Sequence, residues 1–199
     1  MQTTPPGQVP PGYDQVLAWK ITEKVWRIIV MNVVALPLSA ALAIGFILLA
    51  VGVGGPSATR FDGGALWLLW FLVSMLLVFP LHEWVHGLVM RAFGARPEYG
   101  FLWAGMAFYA TASGYAFRRN HYLLIALAPL VGLTVLACLG MLLFHNSPVI
   151  WLLAAFGTLN GSGAIGDLWI SAIVVRYPAH AFVIDEKDGI RVFLPAAEG

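Results

Sequence analysis

Four apolar runs, at about 27–52, 65–90, 122–144 and 149–175, constrain this chain more than any other feature. Each is long enough to cross the hydrocarbon core of a bilayer, which takes roughly 20 helical residues. Composition agrees: 60% of the 199 residues are apolar and only 11% are charged, against roughly a quarter charged in a soluble domain. The expected fold is an all-α membrane protein of about four transmembrane helices, with no length left for a separate soluble domain. A net charge of +1 gives no reason to expect nucleic acid as a partner, and the single Cys138 excludes a disulfide framework.

The segments outside the runs complete this layout. Residues 1–19 carry Pro5, Pro6, Pro10 and Pro11 with Gly7 and Gly12, and read as a flexible tail. Residues 20–177 form the membrane domain. The connection at about 94–120 is long for an idle link between neighbouring helices. Its aromatic, partly alternating stretch, Tyr99-Gly100-Phe101-Leu102-Trp103, predicts a short hairpin-like loop across 98–117. An interfacial aromatic belt and a substrate-handling element are both open readings of that loop. Residues 178–199 predict a small C-terminal β-hairpin with Asp188-Gly189 at its turn.

Charge orients the runs. Lys20, Lys24 and Arg27 precede the first; Arg91, Arg96, Arg118 and Arg119 lie between the second and third; Arg176, Lys187 and Arg191 follow the fourth. Arg60 alone falls between the first and second. This bias predicts a multi-pass protein of the plasma membrane with both termini cytoplasmic.

Inside the second run lies Leu81-His82-Glu83-Trp84-Val85-His86-Gly87, an HExxH motif. Histidines at i and i+4 stand one turn apart, about 40° around a helix, so both imidazoles can reach one zinc ion. The glutamate between them lies on the adjacent flank, where it can take a proton from a metal-bound water. A chance HExxH is common, but three polar residues without a purpose in hydrocarbon are not, which favours metal binding.

A catalytic zinc takes three protein ligands and keeps one position open. Glu83 and Asp167 are the acidic residues that fall well inside the runs. Counted back from Arg91 and Arg176, the motif and Asp167 share a depth, roughly 8–14 Å inside the cytoplasmic boundary at 1.5 Å per residue. Asp167 is therefore the expected third ligand beside His82 and His86, with Glu83 as general base. Asn160, two turns before Asp167, is a candidate donor to the substrate or oxyanion, against the alternative of a helix–helix hydrogen bond. Pro80 is expected to kink the motif helix, and Gly157, Gly161, Gly163 and Gly166 to thin the fourth span. The Gly157-xxx-Gly161 spacing also admits a homo-oligomer, although internal packing is the favoured reading.

With Ala128-Pro129 in the third run and Gly166-Asp167 in the fourth, these motifs resemble the small four-span membrane proteins known as putative zincin peptidases. The resemblance covers roughly residues 65–194 and extends distantly to the site-2 intramembrane metalloproteases. It implies zinc held by His82, His86 and Asp167, a catalytic Glu83, and a membrane-embedded hairpin after the motif helix. The function expected is zinc-dependent hydrolysis of a peptide bond in a membrane-anchored substrate. Its competitor is a non-proteolytic, transporter-like protein using the same cluster for metal or proton handling, which the absence of repeat symmetry makes less attractive.

Overall fold

The computed structural model describes residues 5–56, 64–103 and 107–196; Arg60 and the Asp62-Gly63 turn lie outside them. Where no turn residue interrupts the apolar runs, helices form: α1 (Val25–Val53), α2 (Ala65–Ala92), α3 (Arg119–Leu143), and α4 (Val149–Gly163) followed by α5 (Ile165–Val174). Among the described residues, four helical stretches are long and apolar enough to cross a membrane, the fourth being α4 and α5 together. Their outward sides are apolar: Leu36, Leu48, Leu76, Val131, Leu136 and Leu143 are all exposed. Water would penalise such a surface heavily, whereas lipid accepts it.

Strands fill the connections: β1 (Tyr13–Lys20), β2 (Glu98–Leu102), β3 (Ala107–Thr111), β4 (Ala116–Arg118), β5 (Phe182–Glu186) and β6 (Gly189–Pro195). The expected hairpin after the motif helix is present as β2 and β3, antiparallel, with Tyr99 opposite Ala110 and Phe101 opposite Phe108. The C-terminal hairpin is present too, but it is the middle of a four-stranded sheet ordered β1-β6-β5-β4.

Two corrections follow. Residues 13–19 are strand rather than flexible tail: β1 pairs antiparallel along β6, from Tyr13 opposite Pro195 to Lys20 opposite Gly189. The β5–β6 turn consists of Lys187 and Asp188, because Glu186 already pairs with Gly189. Gly189 serves another purpose. A Cβ there would fall 1.9 Å from the Trp19 carbonyl oxygen, so only glycine lets β1 close onto the hairpin.

Contacts divide the chain into two units, residues 1–30, 83–128 and 166–199, and residues 31–82 and 129–165. The second unit is helical, with Phe46, Ala50, Ala137, Met141, Ile150 and Ala154 at its core. Helices in lipid gain little from burying apolar area, so close packing through small residues has to hold them. The α4 glycines do this: a Cβ at Gly157 would overlap the Phe46 ring at 2.3 Å, and one at Gly161 would meet Leu42 at 2.6 Å. The glycine stripe thus seats α1 within the chain. Hydroxyls in this unit bond to helical carbonyls, Ser74 to Trp70 (2.8 Å) and Thr158 to Ala154 (2.9 Å), so these donors are paired rather than turned to the apolar surroundings.

The first unit wraps its sheet around Phe117, Met90, Ile125, Val174, Val183, Ile190 and Val192, all buried. Period-two alternation on β5 and β6 sends Val183, Ile190 and Val192 inward, and each such burial stabilises by roughly 1.5–3 kcal/mol. The water-facing side carries ion pairs, Lys20 with Glu186 (3.3 Å) and Arg191 with Glu186 (2.7 Å).

Candidate metal centre

The motif residues His82, Glu83 and His86 sit on α2 shortly after Pro80. Both imidazoles are buried, at 6% and 7% exposure. Each has its Nδ1 committed to a protein acceptor, and that commitment makes Nε2 the nitrogen that would ligate a metal.

For His86 the acceptor is created by the sequence of another helix. Pro129 has no N–H, so the Ile125 carbonyl one turn earlier in α3 loses its helical partner. His86 Nδ1 donates to that carbonyl at 2.8 Å. A carbonyl only accepts, so Nδ1 carries the proton and Nε2 presents its lone pair. The same proline thus leaves an orphan acceptor in α3 and orients a histidine of α2.

His82 is fixed by Asn160. Its Nδ1 lies 3.0 Å from Asn160 Oδ1. The amide orientation follows from its other neighbours: Nδ2 faces the Pro129 carbonyl (3.3 Å), the Leu130 carbonyl (3.4 Å) and Thr134 Oγ1 (3.3 Å). Two carbonyls can only receive from the NH2 group, so Oδ1 must face His82, which donates from Nδ1. Asn160 is 1% exposed and its donors are taken within the protein. It therefore orients His82, and the expected role as substrate or oxyanion donor gives way to this one.

Asp167 opens α5, in the first turn after the break at Ala164. Free N–H groups at a helix start favour a carboxylate. Asp167 Oδ1 lies 3.4 Å from His86 Nε2, with its side chain 22% exposed. His82 stands one turn before His86 on the same helix, and the three residues are a group that could hold a metal ion. Two zinc ligands at about 2.0–2.1 Å with a tetrahedral angle between them stand roughly 3.3 Å apart. The His86–Asp167 separation has that value, and the donor set of two neutral imidazoles and one carboxylate suits zinc. His86 and Asp167, which depth paired in the sequence, are thus brought together.

A family model described as "Putative zincin peptidase" matches residues 75–182. The chain belongs to this family. The matched segment of this putative zincin peptidase holds His82, Glu83, His86, Asn160 and Asp167. No curated protein and no solved structure matches the chain at a significant level.

One half-buried carboxylate escaped the sequence reading. Asp185, on β5, accepts a hydrogen bond from Tyr122 Oη at 2.7 Å, and its backbone carbonyl accepts from Thr111 Oγ1 at 3.2 Å. Burial pushes its carboxyl up to about 6, partly opposed by those hydrogen bonds and by the field of His86. The folded value exceeds the ordinary 3.8, so the folded chain binds more protons than the unfolded one between these values. The contribution of this group is full below about pH 3.8 and is lost as pH rises through about 6. Asp185→Asn, neutral throughout, is expected to be more stable than wild type at pH 8 by about 1–3 kcal/mol. The gain should shrink toward pH 4, which melting of the detergent-solubilised protein across pH would show. An equal difference at both ends would contradict the raised value.

Proposed function

We propose that this protein is an intramembrane zinc metallopeptidase that cuts a membrane-anchored peptide near its cytoplasmic end. His82 Nε2, His86 Nε2 and an Asp167 oxygen hold the zinc. When bound, zinc supplies Lewis acidity, which makes a water nucleophilic near neutral pH and polarises the scissile carbonyl. Glu83, on the flank of the same helix, takes the proton of the attacking water and passes it to the leaving amine. Asn160 and the Ile125 carbonyl keep both imidazoles in the ligating tautomer. The observation that carries this reading is the 3.4 Å approach of His86 Nε2 and Asp167 Oδ1, with each histidine's Nδ1 already engaged.

The setting of those residues supports a membrane-anchored peptide as the substrate. The metal helix is one of four helices among the described residues that are apolar and long enough to span, and the positive charge bias supports a site toward the cytoplasmic face of the plasma membrane. The two-stranded sheet of β2 and β3 offers a strand edge on which an extended substrate segment can pair, exposing its amides for cleavage.

Purified protein in liposomes is expected to hold about one zinc per chain and to cut a panel of membrane-anchored peptides. Cleavage should stop with 1,10-phenanthroline and return with added zinc. Cleavage that survives complete removal of zinc would overturn the reading.

A further inference from the structure

With the Asn160 donors taken up inside the protein, a different polar group is left to meet the substrate. Gly87 follows His86 and stands one turn beyond Glu83, about 40° around the helix from it. A Cβ at Gly87 would fall 1.9 Å from the Tyr99 hydroxyl oxygen and 2.6 Å from Cζ. The phenol of β2 therefore occupies the place where a side chain at 87 would begin. Helical Cβ atoms lean toward the N-terminus, so that place lies on the side of the preceding turn, which carries Glu83.

This hydroxyl is also unspent. The Tyr115 hydroxyl donates to the Phe93 carbonyl at 2.6 Å, and Tyr122 donates to Asp185 at 2.7 Å. Among the described residues Tyr99 Oη has no hydrogen-bond partner, and the residue is 44% exposed. Its backbone is nonetheless well held. Tyr99 pairs opposite Ala110, and β3 is tied to the larger sheet through Thr111 and Asp185 and through Lys187 above the Tyr109 ring at 5.9 Å. A rigidly mounted donor on the flank of the motif glutamate, with no acceptor of its own, suits a ligand rich in carbonyls.

We propose that Tyr99 binds the substrate, donating its phenolic hydrogen bond to a peptide carbonyl beside the scissile bond, and that Gly87 is glycine to admit it. This rests on the peptidase reading above. A spacer role alone would need only the ring, which phenylalanine also supplies.

The test compares wild type, Tyr99→Phe, Gly87→Ala and the double variant, all zinc-loaded. Three properties are read: zinc content, affinity for acetohydroxamate, and affinity for a phosphinic tripeptide followed by tryptophan fluorescence. Zinc content and acetohydroxamate binding are expected to stay unchanged, since neither needs the phenol. Phosphinic tripeptide affinity should fall about three- to tenfold in Tyr99→Phe, the worth of one neutral hydrogen bond. Gly87→Ala, which displaces the phenol, should lose as much, and the double variant no more. Wild-type tripeptide affinity in Tyr99→Phe overturns the inference and leaves the peptidase reading standing. A wild type that holds zinc and binds acetohydroxamate but not the tripeptide overturns both.

Discussion

Glu83→Gln is expected to keep zinc at the wild-type level and to lose peptide cleavage by about 10²–10⁴-fold. Glutamine keeps the volume and a hydrogen-bonding carbonyl but cannot accept a proton and pass it on. Because none of the three candidate ligand atoms belongs to Glu83, the metal centre should survive. Zinc analysis alongside a cleavage assay separates the two effects. Activity that persists in Glu83→Gln would remove it as the base, and zinc loss would recast it as a ligand.

The second large effect concerns the ligands. His86→Ala is expected to reduce zinc to a small fraction of one per chain, because a three-ligand site loses a third of its protein donors. It also leaves the Ile125 carbonyl with neither its helical partner, absent because of Pro129, nor His86 Nδ1. A buried unpaired acceptor costs roughly 1–3 kcal/mol, so the variant should melt lower even without metal. Asp167→Asn should also bind zinc weakly, since a neutral amide replaces the charged donor. Zinc-free melting of His86→Ala against wild type reads the cost of the unpaired Ile125 carbonyl apart from the lost metal. Full zinc content in Asp167→Asn would exclude its carboxylate as a needed ligand.

Much of this site was legible because its signals are local. HExxH is read directly, and helix geometry sets both imidazoles on one side. Asp167 is less direct. It was found because a carboxylate inside an apolar run is costly enough to need a reason, and because membrane spans share a common frame of depth. That frame stops at the membrane boundary. Asp185 lies on β5 outside the runs, among residues where acidic side chains are ordinary, so its burial against Tyr122 had no counterpart in the pattern. Asn160 stands out in the sequence as well, but its role depends on which atoms face it. The carbonyls of Pro129 and Leu130 settled that, and they are thirty residues away in sequence.

Glycine shows the same division. Four glycines in the fourth span announce close packing, yet the pattern does not say against what. Gly157 and Gly161 meet Phe46 and Leu42 of α1. Gly87 carries no pattern at all, and Gly189 only the Asp-Gly signal of a turn it does not form. Each is needed because a distant group, the Tyr99 hydroxyl or the Trp19 carbonyl, comes where a Cβ would stand.

By itself the sequence determined four apolar helices, an HExxH pattern on the second, a carboxylate inside the fourth and hairpins in the connections. These follow from periodicity, run length and the cost of charge in hydrocarbon, all of which act along the chain or across one membrane-wide coordinate. Only the tertiary structure decided that residues 13–20 join the C-terminal sheet, that Pro129 leaves a carbonyl for His86, that Asn160 orients His82, and that Tyr99 rests on Gly87. Those outcomes are pairings of single atoms between remote segments. Hydrogen bonds and hard-sphere contacts act over a few ångströms in space, and only the folded chain sets which atoms come that close.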